Sequence, residues 1–392
     1  MVEEITLAGG EGQFRIVRLG RRAIGGAMLI ATLVAFFSSN QFAALELAVN
    51  FWDPFAISQY RLGRLSSNDY EVSIEQALEE GDVSEAQSLV ELAHDNGREL
   101  PADLVERTRE SRFEFGLRNS KDFLDGAITG QVTTSASIGG VLAADYVGVG
   151  DVRDAVIQGN HLIRGEDYDK LTLGLSVLGL ATNVPGTGAI DMGFSLLKNA
   201  NKAGKLSKGL LKRLGVMSAR LVDLEGLKRG LSRTSLPTFK APTAAAVRAA
   251  FIEIDWRRVT KGDFSGFRKL ISEMMPVDMT AAKAAFSGAV RKEVVGEVDL
   301  LASSATGIAS TGGIKATFRA LENADDAKEL YRFRSLARGM GEKTSAVLKV
   351  LGKGAIKLGE LVYLVVSILI AVIGWLAGAL WFVFSLVRTS LA

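Results

Sequence analysis

The chain has 392 residues, enough for two or three ordinary domains with a buried core; it is 48% hydrophobic but only 7% aromatic and holds 6 prolines. That balance predicts a mainly α protein rather than a sheet protein, and the absence of cysteine excludes disulfides, thiolate metal sites and cysteine nucleophiles. The formal net charge of +2 conceals a polarity: residues 50–170 carry 11 basic and 23 acidic side chains, whereas residues 198–357 carry 30 basic and 15 acidic ones. The chain is acidic in front and basic behind.

Residues 1–22 include Arg15, Arg18, Arg21 and Arg22, and they precede an uncharged stretch over 23–37. Polar residues at 38–41 interrupt it before apolar residues resume to 49. The basic start and apolar middle resemble a signal sequence, but the cleavage sites on offer would place Gln41 or Phe42 three residues before the cut. We therefore expect an uncleaved N-terminal membrane anchor over 23–49, with residues 1–22 in the cytoplasm by the positive-inside rule.

The acidic region, 50–170, reads as helices. Ser73 with Gln76 and Asp82 with Glu85 match capping boxes, and Val83, Ala86, Leu89, Val90 and Ala93 share one helical face that ends at Asn96 and Gly97. The spacing of Ala77, Gly81, Asp82, Ala86, Leu89 and Ala93 is similar to one unit of a tetratricopeptide-type hairpin, although no second copy follows. Small residues over 127–150 lead into Gly150-Asp151-Val152-Arg153-Asp154. Here we expect a helix start, with Asp151 as N-cap or Asp154 near the first turn, where carboxylates meet the positive end of the helix dipole. A catalytic role for the Asp151 and Asp154 carboxylates is the competing reading, and Asp151, Arg153 and Asp154 together form a candidate motif of unassigned role. His94 and His161 are isolated, so no metal site is expected.

Residues 171–197 predict an apolar helical hairpin: a strongly apolar arm, a break at Asn183, Pro185, Gly186 and Gly188, then Asp191. Gly186-Thr187-Gly188 lacks the lysine and preceding strand of a nucleotide loop. In the basic region, 198–358, Leu206, Leu210, Leu214, Met217, Leu221 and Leu224 recur at helical spacing. Lys198, Lys202, Lys205, Lys208, Lys212 and Arg213 point elsewhere, as a face suited either to anionic headgroups or to plain solvent. Further helices are expected over 244–254, 264–275, 280–302 and 328–358.

Residues 359–392 form a C-terminal transmembrane helix and tail. Over 361–387 only Ser367 and Ser385 are clearly polar; as a helix this run is about 40 Å long, against a hydrocarbon core of about 30 Å. Tyr363 and Trp381 are placed for the two lipid interfaces. Gly374 and Gly378 form a G-x-x-x-G pair, extended by Ser367 and Ala371, that would suit self-association or contact with another helix; with 42 glycines in the chain, the pair also fits general abundance.

The order of these features, with Gly150-Asp151-Val152-Arg153-Asp154, Lys343-Thr344, and Leu348-Lys349 through Gly352-Lys353-Gly354-Ala355-Ile356 before a terminal span, resembles a family of uncharacterised bacterial membrane proteins. The resemblance implies an inner-membrane location and no particular activity. No convergent set of titratable groups points to an enzyme or a cofactor, and no fold signature accompanies the basic half to indicate nucleic acid. The expected function is a non-enzymatic envelope interaction or scaffold protein, with the bilayer and an unidentified protein as partners. The alternative is a pore-forming or toxin-like protein whose 171–197 hairpin inserts. Hydropathy predicts two spans with residues 50–360 in the periplasm. Lys343, Lys349, Lys353 and Lys357 before the last span argue instead for a third span at 171–197, with the basic half in the cytoplasm.

Overall fold

The computed structural model describes residues 20, 23–34, 41–109, 127, 135–181, 188–235, 254–291 and 295–390, with 238, 240, 243, 245, 249 and 250. Among them helix dominates and no strand forms, apart from an isolated antiparallel bridge between Val222 and Val290. The first helices are α1 (Ala23–Val34), α2 (Gln41–Val49), α3 (Pro54–Leu62), α4 (Ser67–Glu79), α5 (Val83–Asp95) and α6 (Ala102–Arg107). Next come α7 (Ser135–Tyr146), α8 (Val149–Arg164), α9 (Lys170–Ala181), α10 (Gly188–Lys202), α11 (Lys208–Leu221) and α12 (Leu224–Arg233). The last are α13 (Trp256–Thr260), α14 (Arg268–Met274), α15 (Met279–Phe286), α16 (Val295–Asn323), α17 (Ala327–Met340), α18 (Thr344–Leu351) and α19 (Leu361–Ser390).

Two compact units result, residues 61–356 and residues 1–60 with 357–392. The acidic region from residue 61, the apolar hairpin and nearly all of the basic region, which the sequence reading treats as separate segments, thus share the larger unit.

Local chemistry sets the helix ends there. Ser66 caps α4 by accepting from the Asp69 N–H, and the Asp69 carboxylate accepts from the Ser66 N–H at 2.8 Å. The capping box therefore lies seven residues before the expected Ser73 and Gln76; Ser73 sits mid-helix and its hydroxyl donates to the Asp69 carbonyl at 2.8 Å. Asp82 caps α5 as the sequence indicates, accepting from the Glu85 N–H at 3.2 Å. Glu85 does not complete that box. Its buried carboxylate accepts from Ser345 Oγ of α18 at 2.8 Å and lies 3.6 Å from the Arg319 guanidinium of α16. The single helix expected over 280–302 is two, because the chain turns after Phe286 to make the Val222 bridge before α16 begins. The helix expected over 244–254 falls largely outside the described residues.

The core explains why α9 is apolar on all sides. Leu171, Leu175 and Leu178 join one hydrophobic cluster with residues of α5, α10, α11, α16 and α17, while Leu173, Val177 and Leu180 join a second with α8, α12 and α15. A helix buried from both sides has no polar face to keep. Its partner α10 approaches α16 closely: a Cβ at Gly193 would lie 2.2 Å from the Ala302 carbonyl oxygen, so only glycine fits this crossing.

In the smaller unit, α1 and α19 run antiparallel. Gly25 faces the Phe382 ring and, seven residues on in α1 and seven back in α19, Trp375 Nε1 donates to Thr32 Oγ1 at 3.3 Å. Ala44, Leu47 and Ala48 of α2 cluster with Val365 and Ile368 near the start of α19. One described helix segment, Leu361–Phe384, is long and apolar enough to cross a membrane. Where an N-terminal anchor is expected, over 23–49, the described residues form two shorter helices, α1 and α2. With 12 residues α1 is about 18 Å long, less than a hydrocarbon core. The arginine flank (Arg15, Arg18, Arg21 and Arg22) and the polar interruption at 38–40 lie outside the described residues.

Candidate functional site

The Gly150 to Asp154 motif opens α8, but neither aspartate caps it. Gly148, at φ +87°, is the N-cap and supplies no side chain, which corrects the expected role of Asp151. Both carboxylates turn inward instead, toward lysines from the end of α10. Lys198 Nζ lies 2.8 Å from Asp145 Oδ1, 2.6 Å from Asp151 Oδ1 and 3.2 Å from Asp154 Oδ2. Lys202 Nζ is 2.6 Å from Asp154 Oδ2, and Arg153 Nε donates to Asp154 Oδ1 at 3.0 Å. Arg153 Nη1 also donates to the Ala127 carbonyl at 3.0 Å. Asn199 Nδ2 bridges Asp145 Oδ2 at 2.8 Å and the Ser195 carbonyl at 2.7 Å.

The constellation holds Asp145, Asp151 and Asp154 against Arg153, Lys198 and Lys202, so its formal charges cancel. Burial makes that balance necessary, since an isolated ion in a packed interior costs several kcal/mol. Lys198 is 0% exposed. The helix termini assist: Asp151 lies in the first turn of α8, and Lys198 and Lys202 lie near the C-terminal end of α10. Asp145 sits unfavourably near the end of α7, where Lys198 and Asn199 offset it. Gly150 makes room for it, because a Cβ there would lie 1.9 Å from Asp145 Oδ1.

The two motif carboxylates titrate in opposite directions. Burial pushes Asp151 up to about 7, with Lys198 opposing and Asp145 and Asp154 adding to the rise. Burial acts on Asp154 in the same sense, but Arg153, Lys198 and Lys202 outweigh it and hold that carboxyl well below the usual carboxylate range. Burial would likewise lower Lys198, yet the three aspartates hold its ammonium above the ordinary lysine range. Geometry agrees: Asp154 meets three cations, whereas Asp151 meets only Lys198 among the described ion pairs.

Lys198 and Lys202, expected on a lipid-facing or solvated surface, are instead committed to this interior. The continuous basic helix that suggested otherwise breaks between α10 and α11, where Gly204 adopts φ +65°. Lys205 is paired with Glu322 at 3.3 Å, while Lys208, Lys212 and Arg213 are exposed on α11. No atom comes within 4 Å of a Cβ built at Gly374 or Gly378, so nothing described covers that pair. Asp145 and Asn199 went unnoticed in the sequence. The signal available for the rest of the network was the conjunction of Asp151/Asp154 at spacing three with Lys198/Lys202 at spacing four, on either side of a strongly apolar arm.

Chemically the arrangement ties α7, α8 and α10 together through ion pairs. A cavity of about 380 Å³ lies beside it, lined by Val147, Val149, Ser272, Met275, Pro276, Val277, Asp278 and Met279, and none of the ion-network side chains reaches it. Among the described residues no group of three or more histidine, aspartate or glutamate side chains is placed to hold a metal ion. The three aspartates converge on an ammonium, which already supplies the positive charge. No protein-family model, curated protein or solved structure matches the chain.

Proposed function

We propose that this chain is a membrane-anchored, non-enzymatic scaffold protein of the bacterial envelope, residing in the inner membrane, whose helical body serves as an interaction platform. The observation that carries this reading is the apolar surface of α19. Tyr363 is 84% exposed, Leu380 71% and Trp381 74%, along a helix with only 6% of its most apolar window buried. Leaving each such side chain in water forfeits about 1.5–3 kcal/mol of burial, which a bilayer returns.

The antiparallel pairing of α1 and α2 with α19 supports two crossings with both chain ends on one side. The larger unit supports the same topology. A third span at 171–197 would separate the acidic and basic regions, yet Asp82 pairs with Lys315, Asp95 with Lys343 and Glu80 with Lys349. Three of the four flank lysines that argued for a third span, Lys343, Lys349 and Lys353, are neutralised this way within the unit. Pore formation is the weaker reading, because releasing α10 would strip Lys198 and Lys202 from their aspartates. Deleting residues 361–392 should weaken alkaline-carbonate-resistant membrane association, and deleting residues 15–49 as well should abolish it; full retention of the doubly truncated chain would refute the anchors. Conductance of the intact chain across planar bilayers would favour the pore instead.

A further inference from the structure

We propose that the exposed face of α11 docks on anionic lipid headgroups, an inference that rests on the membrane-anchored reading above. The observation is a cluster of exposed cations on one face of α11 that have no carboxylate partner among the described residues. Lys205, Lys315, Lys343, Lys349 and Lys353 each have a carboxylate partner. Lys208, Lys212, Arg213 and Arg220 are exposed on α11, and none forms an ion pair with a described residue.

Their arrangement is specific. Val216 is 50% exposed, and Lys212, Arg213 and Arg220 stand at four and three residues before it and four after, which on a helix surrounds it with positive charge. Leu211, 46% exposed, marks the edge of the same arc. The opposite side of the helix carries Leu210, Leu214, Met217 and Leu221, all buried, so α11 is fixed in rotation by its core and can present only this face. An aliphatic side chain ringed by cations matches the boundary between acyl chains and anionic headgroups, where the charges meet phosphate and the apolar group enters the interface. A nucleic acid is matched less well, for no aromatic side chain lies on the arc to stack on a base. Attachment to the bilayer through α19 also keeps this face at high local concentration near headgroups.

The test uses the full chain, whose lack of cysteine permits a single label. A Val216→Cys protein carrying an environment-sensitive fluorophore is reconstituted into nanodiscs of phosphatidylcholine alone or mixed with phosphatidylglycerol. Emission should shift to shorter wavelength only in the anionic discs. The shift should vanish at about 1 M salt, where the screening length is about 3 Å. It should also vanish in the triple variant Lys212→Gln/Arg213→Gln/Arg220→Gln, which keeps straight-chain helix formers at exposed positions. Equal emission in both lipids, or a shift that survives the triple variant, overturns the proposal. So does a shift produced by RNA without anionic lipid, which would assign the face to nucleic acid. Failure of the chain to enter nanodiscs would sink the anchoring reading itself, whereas entry without a lipid-dependent shift would sink only the docking face.

Discussion

Two sets of opposite charges hold the larger unit together, and they differ in how much water they see. Between α4–α5 and α16–α18, Lys343 and Asp95 are 34% and 49% exposed, and Lys315 and Asp82 are 39% and 23% exposed. Among α7, α8 and α10, the Lys198 side chain is 1% exposed against 0%, 13% and 7% for the side chains of its three aspartates. The exposed pairs are screened and set orientation at little net energy. The buried set gains strongly from each partner only because the loss of any partner leaves a desolvated ion behind. Similar pairings thus align one interface and lock the other.

Substitutions should separate the two regimes. The largest effect is expected from Gly150→Ala, whose Cβ would collide with Asp145 Oδ1 and push the carboxylate out of the network. We expect a collapse of the thermal transition of the detergent-solubilised chain, and an unchanged melt would show that Asp145 is not held there. Lys198→Met should follow, at about 3–5 kcal/mol, because it leaves buried Asp145 and Asp151 without their cation and takes one of three from Asp154. Asp154→Asn should cost a similar amount, since Asp154 compensates Arg153, Lys198 and Lys202. Urea midpoints of both variants provide the check, and a cost below about 1 kcal/mol would place the network in the screened class.

Asp151→Asn is expected to differ in kind. The folded protein holds the Asp151 proton up to about pH 7, whereas an unfolded aspartate releases it near pH 4. The folded state therefore binds more protons between those values, and this group's contribution to stability falls as pH rises from about 4 to about 7, then levels. Asp154 acts oppositely: its contribution is full above about pH 4 and is lost as pH drops through its lowered folded value. Asp151→Asn should thus cost little at pH 7 and should flatten the stability profile between pH 5 and 7 relative to the parent. A profile with an unaltered slope would show that Asp151 is ionised throughout. The smallest effect belongs to Lys343→Ala, at less than about 1 kcal/mol at any pH near neutrality, measured in the same urea series.

Much of the helical architecture was legible because apolar periodicity and caps are local signals. Asp82, Asn96 and Gly97 bound α5, and Leu210, Leu214, Met217 and Leu221 mark the buried side of α11. What escaped was anything decided by distant partners. Ser73 and Gln76 fit a capping box, but Ser66 and Asp69 form one about two turns earlier, and sequence alone does not rank two matching registers. Lys198 and Lys202 continue the basic spacing of the helix that follows, so periodicity assigned them to a surface. Only the packing of α10 against α7 and α8 brings them to Asp145, Asp151 and Asp154. The motif itself was visible, and its role as an inward-facing lock was not.

The same long-range pairing governs the charge polarity of the chain. From sequence, the charge polarity was the argument for the alternative, a third span with the acidic front and basic rear on opposite sides of a membrane; in the fold they are complementary surfaces of one body. Single cysteines at Asn68→Cys on α4 and Ser235→Cys just after α12, both at exposed positions, test this directly in the otherwise cysteine-free chain. With a membrane-impermeant maleimide applied to intact spheroplasts, the two positions should react alike, both before lysis. Labelling of residue 68 with protection of residue 235 until lysis would put a span between them and contradict the single folded unit.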